Sequence, residues 1–362
     1  MSPQTSTASR LPPTVCVRSP NWVGDAVMAT PAFRCIRKSL PGSRILLVAR
    51  GAVADVVRGS PWFDRVISYG GKGMAGAGGL SLRRCVRELR RERCDLGFIL
   101  PNSFSSALML RLAGVRRRVG YARDARSLLL TDAVRRPTQG GRFQPTYMAD
   151  YYLGLCEAVG LEPESRRTEL TFDAQDELEA RRLVQNAGVD CDKPLMLFHP
   201  GAAYGPSKLW PEQNWARLAE MLQGEFGAQV ACIGAPAEGG LVRAIGASCR
   251  APLLDLTACG IDLQLLKPVV RMSRLLATTD SGPRHYGVAL GVPTVCIMGP
   301  TRPAYSASGL AHDHVARVEV DCGPCQRKVC SRDHRCMSLL SPQDVLEVCR
   351  RALETADGEG DD

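Results

Sequence analysis

The chain has 362 residues, of which 45% are hydrophobic, so it is long enough for two domains and too apolar to be disordered. No apolar run approaches the ~18 to 20 residues that cross a bilayer, and residues 1–13 lack the hydrophobic segment of a secretory signal, so we expect a soluble, cytoplasmic protein with a short disordered tail at 1–13. The net charge of +9 is uneven: residues 1–170 contain 27 Lys and Arg against 13 Asp and Glu, whereas residues 171–362 contain 19 against 24.

Strand-like runs alternate with helical patterns through the first half of the chain. The predicted strands are 15–18, 44–49, 65–69 and 96–100, and the predicted helices between them are 26–40, 52–58 and 80–93. This βαβ alternation is typical of a parallel sheet with helices on its faces. We therefore predict an α/β domain over residues 14–170.

The second half repeats the alternation after a polar connection. Residues 171–193 predict a linker with a lead-in helix at 174–187, and the segment 341–362 predicts a closing helix at 342–355 and a tail. The predicted strands of residues 194–340 are 195–199, 229–233, 252–256, 275–279 and 294–298. We expect two Rossmann-like, doubly wound domains whose strand ends share a cleft, with the closing helix packed back across the first domain.

The first strand runs into a turn and a helix through Asn21, Trp22, Gly24 and Asp25. Asp25 stands where a helix N-cap is expected, and a capping role would account for it. A carboxylate at the end of a strand also lies where a general base is needed to deprotonate a sugar hydroxyl. Both interpretations remain open from the residues alone.

Residues 195–211 join a buried strand to an amphipathic run, 212–226, through a small, glycine-rich loop. The backbone N–H groups of such a loop and the following helix start suit a phosphate, and Lys208 adds a full positive charge. The loop lacks the Gly-Lys-Ser/Thr ending of a P-loop, which argues against a nucleoside triphosphatase. The alternative is an ordinary strand-to-helix connection with an exposed lysine.

A second anion-binding pattern follows the strand at 275–279. Ser281 and Gly282 open a helix there, after Asp280 and one turn before His285. Asp280 as a cap and His285 as a core histidine would be the plainer interpretation. Two such patterns in one domain favour a single diphosphate held from two sides.

Four closely spaced cysteines, Cys322, Cys325, Cys330 and Cys336, differ from the isolated apolar cysteines elsewhere. The spacing is not that of a standard zinc ribbon or finger, and a structural zinc, reduced thiols and a disulfide pair all remain open. Four sulfur ligands would close the coordination shell of a zinc ion, so a catalytic metal is not expected.

These segments together resemble glycosyltransferase family 9, the ADP-heptose:lipopolysaccharide heptosyltransferases. The matching pieces are residues 19–28, the His-Pro-Gly-Ala at 199–202 through Ser-Lys-Leu-Trp-Pro at 207–211, residues 279–282 with His285, and the cysteine segment 322–337. The resemblance implies a GT-B architecture, in which the first domain binds mainly the acceptor and the second mainly the nucleotide sugar. It also implies an inverting, metal-independent transfer of heptose from ADP-heptose to an anionic, lipid-linked acceptor of the lipopolysaccharide inner core.

The resemblance assigns a role to each candidate residue. Asp25 would be the base, Lys208 would neutralise the leaving diphosphate in place of a divalent cation, and no cofactor would be required for catalysis. Donor-binding groups would be Ala202, Ala203, Ser207, Asp280, Ser281, Gly282 and His285. Acceptor-side groups would be Asn21, Trp22 and Gly24. Asp280 in particular would bind hydroxyls of the donor sugar.

The chain departs from the family pattern before the histidine, where family members often have an apolar residue and this chain has Pro283-Arg284. The base pocket, which we expect near Gly234, Leu256 and Thr257, has no motif that names the nucleotide. Alternatives are therefore a glycosyltransferase for another nucleotide sugar or acceptor and a non-catalytic nucleotide- or glycan-binding protein. The basic first half, with Arg83, Arg84, Arg87 and Arg116–Arg118 among its clusters, has two interpretations: an ordinary solvated face, or a surface that meets an anionic partner such as an acidic glycan or a membrane surface. Nucleic acid is the weaker choice of partner, because aromatic residues do not interleave these clusters.

Overall fold

A computed structural model describes residues 12–70, 80–123 and 125–358, with side chains described up to residue 356. Of the predicted disordered tail, residues 1–11 lie outside the described residues. Within the described ranges, no helix is both long and apolar enough to cross a membrane.

The strands fall into two six-stranded sheets and one short hairpin. The first sheet contains β1 (Thr14–Arg18), β2 (Arg44–Arg50), β3 (Arg65–Tyr69), β4 (Leu96–Ile99), β5 (Arg117–Tyr121) and β6 (Asp132–Val134). The hairpin is formed by β7 (Thr138–Gln139) and β8 (Arg142–Phe143). The second sheet contains β9 (Leu195–His199), β10 (Gln229–Cys232), β11 (Leu254–Asp255), β12 (Leu275–Thr279), β13 (Thr294–Ile297) and β14 (Asp313–Ala316).

Helices cover both faces of each sheet. Those of the first half are α1 (Val23–Met28), α2 (Thr30–Ser39), α3 (Val53–Val56), α4 (Leu82–Arg91), α5 (Phe104–Leu112) and α6 (Met148–Glu157). They are followed by α7 (Ala174–Asn186), α8 (Glu212–Phe226), α9 (Gly239–Ser248), α10 (Leu266–Arg271), α11 (Gly282–Leu290), α12 (Pro303–Ser306), α13 (Arg335–Ser338) and α14 (Pro342–Gly358). The alternation predicted from the sequence is present in both halves, and the pattern analysis missed the outer strands β5, β6 and β14.

Both sheets have the same strand order and are parallel throughout. The orders are β3-β2-β1-β4-β5-β6 and β11-β10-β9-β12-β13-β14. In each, the order reverses beside the first strand, which is where doubly wound sheets bind their ligands. The expected pair of Rossmann-like domains is therefore confirmed, and β1 and β9 occupy equivalent central positions.

Three apolar cores stack through the molecule. One core lies under α4 and α5 on the outer face of the first sheet, and another lies under α8, α9 and α14 on the outer face of the second. The third is continuous between the domains, because it includes Val15 and Val17 of β1 together with Leu195 and Leu197 of β9. The inner helices of both sheets therefore share one buried layer.

The closing helix α14 corrects one prediction from the sequence. It packs on α8 and on strands β12 to β14 of the second domain, and not across the first domain. Val345, Leu346 and Cys349 belong to the same core as Trp215 of α8. This apolar face is satisfied within its own domain, so the helix has no apolar face left to bridge the two halves.

The helix predicted at residues 26–40 is in fact two helices, α1 and α2. Pro31 has no N–H group to donate to the carbonyl of Val27, one turn earlier. The hydroxyl of Thr30 donates to that carbonyl instead, at 2.8 Å. The first of the two helices, α1, starts at Val23, three residues earlier than predicted.

Candidate active site

The two domains meet where α1 and α11 begin, at the carboxyl ends of β1 and β12. A Cβ atom on Gly24 would lie 2.6 Å from Cδ2 of His285, and a Cβ atom on Gly282 would lie 3.0 Å from Cγ1 of Val23. Only glycine at these two positions permits so close an approach of the two helix starts. The short turns that the sequence singled out separately are therefore adjacent in space.

Asp25 lies in the first turn of α1 and does not cap it. The N-cap position is Trp22, which makes no side-chain capping bond, so the capping interpretation of Asp25 is wrong. Within the described part of the chain, the Asp25 carboxylate has no hydrogen-bond or ion-pair partner. Burial and the nearby charge of Asp280 raise its pKa to about 6, although Lys208 acts in the opposite direction. A carboxylate of this kind is free to accept a proton.

Lys208 and Asp280 form a buried ion pair opposite Asp25. The ammonium group of Lys208 donates to Oδ2 of Asp280 at 2.8 Å and to the Asp280 carbonyl at 2.5 Å, and it lies 4.8 Å from the centroid of the Tyr204 ring. An ammonium group has three N–H donors, so one remains for a ligand. The predicted exposed-lysine alternative is excluded, because Lys208 is only 8% exposed.

The Asp280 carboxylate is fully occupied by protein donors. Besides Lys208, it accepts hydrogen bonds from Thr301 at 2.6 Å, Ser306 at 3.1 Å and Arg284 at 3.4 Å. Although burial alone would raise the pKa of Asp280, Lys208 and Arg284 hold it well below the ordinary value. A carboxylate has about four lone-pair sites, so this conformation leaves none for a sugar hydroxyl. The geometry supports a role for Asp280 in holding Lys208.

Arg284, which departs from the family pattern, is the hub of this network. Its guanidinium is wholly buried and binds Asp313 of β14 through Nε at 3.1 Å and Nη2 at 2.9 Å. Paired with two carboxylates, it keeps a raised pKa in spite of its burial. Arg284 therefore fixes Asp280 from behind and does not face the cleft as a free charge.

His285 lies beside this network as a neutral side chain. Burial and the adjacent Arg284 lower its pKa to about 4. Its ring packs on Gly24, so its place in the structure is at the contact between the domains.

The loop after β9 presents unpaired backbone donors. The N–H groups of Ala202 and Ala203 have no acceptor among the described residues, and the first N–H groups of α11, starting at Gly282, are likewise free of intrahelical partners. Both sets flank Lys208. Unpaired donors on both sides of Lys208 are compatible with the two-sided anion site, which stays a prediction.

A side-chain relay beneath this loop was missed by sequence analysis. Ser281 Oγ lies 3.0 Å from Nδ1 of His199, and Nε2 of His199 lies 3.5 Å from Oε2 of Glu238. The Glu238 side chain lies against Gly201. A Cβ atom on Gly201 would lie only 1.7 Å from Oε1 of Glu238 and would therefore overlap it. Burial raises the pKa of Glu238, but the hydrogen bond with His199 holds it below the ordinary value. The sequence offered no local signal for this pairing, because Glu238 lies 39 residues after His199.

Ser207, predicted to bind the donor, is used by the protein itself. Its hydroxyl donates to the carbonyl of Arg327 at 2.5 Å, its N–H donates to the carbonyl of Lys328 at 3.1 Å, and its carbonyl lies 2.7 Å from Nε2 of His334. The cysteine segment therefore braces the phosphate loop through Ser207.

The four cysteines of that segment are free thiols, so the disulfide alternative is not realised in the structure. Among the described residues, which include all four, no group of three or more His, Cys, Asp and Glu side chains is arranged to hold a metal ion. The structural zinc site therefore stays a prediction from the spacing of the cysteines alone.

Of the residues predicted on the acceptor side, Trp22 is 55% exposed and Asn21 is exposed beside it. Asn21 accepts a 2.5 Å hydrogen bond from Arg18, for which the sequence predicts no role. Both residues precede Asp25 in the connection from β1 to α1, and their acceptor role stays a prediction.

Comparison with known proteins agrees with this geometry. The model of glycosyltransferase family 9 (heptosyltransferase) matches residues 82–335. Lipopolysaccharide heptosyltransferase 2 of Salmonella typhimurium is 28% identical over 94% of this chain and 98% of its own length. The structure of Escherichia coli ADP-heptose lipopolysaccharide heptosyltransferase II superposes with a TM-score of 0.77 at 24% identity, covering 95% of this chain and 99% of that one.

A family 9 glycosyltransferase from Veillonella parvula has a TM-score of 0.79 at 21% identity, covering 94% of this chain and 97% of that one. These structures confirm the GT-B architecture. Because the family model spans well over half of the sequence, the chain belongs to glycosyltransferase family 9, the heptosyltransferases.

Proposed function

We propose that this enzyme transfers heptose from ADP-heptose to an acceptor of the lipopolysaccharide inner core, with inversion at the anomeric carbon and without a metal ion. The observation that carries the proposal is the position of Asp25. It comes from the first domain, has no hydrogen-bond or ion-pair partner among the residues that the structure describes, and lies within the electrostatic reach of the Lys208–Asp280 pair of the second. The names of its relatives support the donor and acceptor.

In the proposed reaction, the acceptor hydroxyl attacks the anomeric carbon of the donor from the face opposite the diphosphate. Asp25 accepts the hydroxyl proton as the new C–O bond forms, and the bond between the sugar and the diphosphate breaks. A pKa near 6 leaves Asp25 ionised at neutral pH, yet basic enough to take the proton in the transition state. A single displacement of this kind inverts the anomeric configuration.

The departing ADP gains negative charge, which Lys208 and the backbone donors would stabilise. The third N–H of Lys208, the N–H groups of Ala202 and Ala203 and the start of α11 converge there. Preorganised donors of this kind act strongly in a site from which water is largely excluded. Lys208 would supply the positive charge that a divalent cation provides in other enzymes.

The basic first half supports a peripheral position at the inner face of the cytoplasmic membrane. Residues 1–170 have a net charge of +14, whereas residues 171–362 have −5. A lipid-linked acceptor with anionic groups would meet the basic half, and the acidic half would stay in the cytoplasm.

The purified protein, mixed with ADP-heptose, a truncated inner-core acceptor and EDTA, tests the proposal. We expect acceptor-dependent release of ADP and, by NMR of the product, an inverted anomeric configuration. No ADP release above the hydrolysis background would refute the transfer, and loss of activity in EDTA would refute metal independence. Competition binding among ADP, UDP and GDP tests the donor, and preference for UDP or GDP would favour the alternative of another nucleotide sugar.

A further inference from the structure

The carboxyl ends of β1, β2 and β3 hold two arginines and a tyrosine side by side. Arg18 ends β1, Arg50 ends β2 and Tyr69 ends β3. The strand register pairs Arg50 directly with Tyr69 and places Arg18 opposite Val48, two residues earlier on the same strand as Arg50. We call Arg18, Arg50 and Tyr69 the basic row.

Arg18 is an unusual member of this row, because it is 1% exposed and has no carboxylate partner among the described residues. Its Nη1 donates to the Ser19 carbonyl, and its Nη2 donates to Asn21 and to the Tyr69 hydroxyl, each at 2.5 Å. The guanidinium also lies 5.1 Å from the centroid of the Tyr69 ring. All of these contacts are with neutral groups, so the buried positive charge is not balanced.

Polar atoms in the row are left without partners. In the part of the chain that the structure describes, buried Arg18 Nε has no acceptor, and the buried hydroxyl of the adjacent Ser19 has no hydrogen-bond partner. A guanidinium has five N–H donors, and the contacts above use only part of them. Buried donors without acceptors are costly, and they are found where a ligand completes the set.

Arg50 adds a second charge to the same place. It is exposed, has no hydrogen bond or ion pair within the part of the chain that the structure describes, and acts on Arg18 as a like charge. Two neighbouring guanidinium groups without a counter-charge repel each other. An oxyanion bound between them would remove the repulsion and accept the unused donors, since guanidinium geometry matches phosphate and carboxylate.

Arg18 is linked to the segment that carries Asp25. It donates to Asn21, which belongs to the loop that leads from β1 into α1, four residues before Asp25. The row therefore belongs to the first domain, at the strand ends from which Asp25 follows, and is remote along the chain from Lys208.

We propose that Arg18, Ser19, Arg50 and Tyr69 form a subsite for an oxyanion, a phosphate or a carboxylate, that belongs to the acceptor. The proposal rests on the proposed function for the identity of the acceptor. Binding of the anion there orders the loop that carries Asp25 and places the neighbouring acceptor hydroxyl against it.

Calorimetric titration of a deacylated, truncated inner-core oligosaccharide into the full-length protein with ADP tests the subsite without requiring turnover. We expect Arg50→Gln to weaken oligosaccharide binding about tenfold, as loss of a charged hydrogen bond does. Arg181→Gln is the matched control, because Arg181 is an exposed arginine of α7, outside the basic first half, and the same charge is removed. It should bind as the wild type does.

In transfer assays, Arg50→Gln should raise the acceptor KM about tenfold and leave the KM for ADP-heptose unchanged. Arg18→Lys, which keeps the charge but loses the planar fork, should show the same selectivity for the acceptor. Circular dichroism of each variant checks that it is folded.

The source of the anion is resolved by modified oligosaccharides. If a phosphate group binds at the basic row, enzymatic removal of the phosphate weakens oligosaccharide binding by the wild type and abolishes the difference between wild type and Arg50→Gln. If a carboxylate binds there, reduction of the oligosaccharide carboxylates has these two effects instead. Equal binding by Arg50→Gln and wild type, or an equal loss in Arg181→Gln, would overturn the subsite. A wild type that releases no ADP but binds the oligosaccharide through Arg50 would refute the transfer and retain the subsite.

Discussion

The two sheets share one strand order, yet their carboxyl ends treat charge in opposite ways. At the second sheet, Lys208 and Arg284 are paired with Asp280 and Asp313 in a closed network. At the first sheet, Asp25, Arg18 and Arg50 have no ion-pair partner among the described residues. These charges of the second domain are held by its own side chains, whereas those of the first domain are unpaired and, in the proposed function, meet the acceptor.

The pKa directions of two aspartates express the same difference. Lys208 and Arg284 overcome the effect of burial and keep the pKa of Asp280 low, so its charge is structural. Burial and Asp280 raise the pKa of Asp25 to about 6, so its charge is available for chemistry. Carboxylates with such opposed environments commonly divide structural and acid–base roles.

The largest expected effect concerns Asp25, one of the unpaired charges at the first sheet. Asp25→Asn removes the proton acceptor and should lower kcat by about 10² to 10⁴ while ADP binding is retained. In the wild type, kcat/KM should rise as the pH passes about 6, because Asp25 must be ionised to act. Glu162→Gln, which removes an exposed carboxylate of the same domain, is the control for activity. Full activity of Asp25→Asn would show that Asp25 is not the base.

The second largest effect concerns Lys208, which belongs to the paired network at the second sheet. Lys208→Met should lower kcat by about 10² to 10³, because the departing diphosphate loses its preorganised charge. Lys193→Met serves as the control, since Lys193 is exposed and precedes β9, at the end of the strand opposite the cleft. An effect that magnesium ions fully rescue would support the charge role, and comparable kcat values for the two variants would contradict it.

The contact between the two domains at Gly24 and His285 should have a moderate effect on stability. Gly24→Ala places a Cβ atom against the His285 ring and should destabilise the protein by about 1 to 3 kcal/mol, measured by denaturant unfolding. Gly42→Ala is the matched control, because a Cβ atom at Gly42 would meet nothing within 4 Å. The double variant Gly24→Ala, His285→Ala should recover part of the loss. Equal stability of the two single variants would show that the helix starts are not tightly packed.

The smallest effect concerns stability and pH. A carboxylate with a pKa raised by folding stabilises the native state only while it is protonated, and that contribution is lost as the pH rises from about 4 through about 6. Asp25→Asn avoids the cost of the buried charge, so at pH 8 it should be more stable than wild type by about 1 kcal/mol. The difference should vanish near pH 4. Lower stability of the variant at pH 8 would indicate an ion-pair partner for Asp25.

Much of this architecture follows from local sequence patterns. The central strands β1, β2, β9 and β12 were predicted because they are continuous apolar runs bounded by turns, as buried parallel strands are. Short outer strands such as β6 and β14 carry polar residues and lack that signal. Helix starts were also less certain, since α1 begins after Trp22 without a capping side chain.

The site was predictable in its parts and not in its pairings. Asp25, Lys208 and Asp280 stand in recognisable strand-to-helix turns. The partners that define their chemistry come from remote segments: Asp313 binds Arg284 across 29 residues, and Tyr69 binds Arg18 across 51. A single sequence holds no periodic signal for such contacts, because they arise only when the strands lie side by side.

The buried layer shared by the inner helices has a consequence for how the molecule folds. Since that core joins residues of β1 to residues of β9, separating the halves near residue 170 would expose apolar surface on both. Each half is therefore stabilised by contact with the other, and we expect the two domains to unfold together. A substitution in this shared layer would then weaken both domains at once.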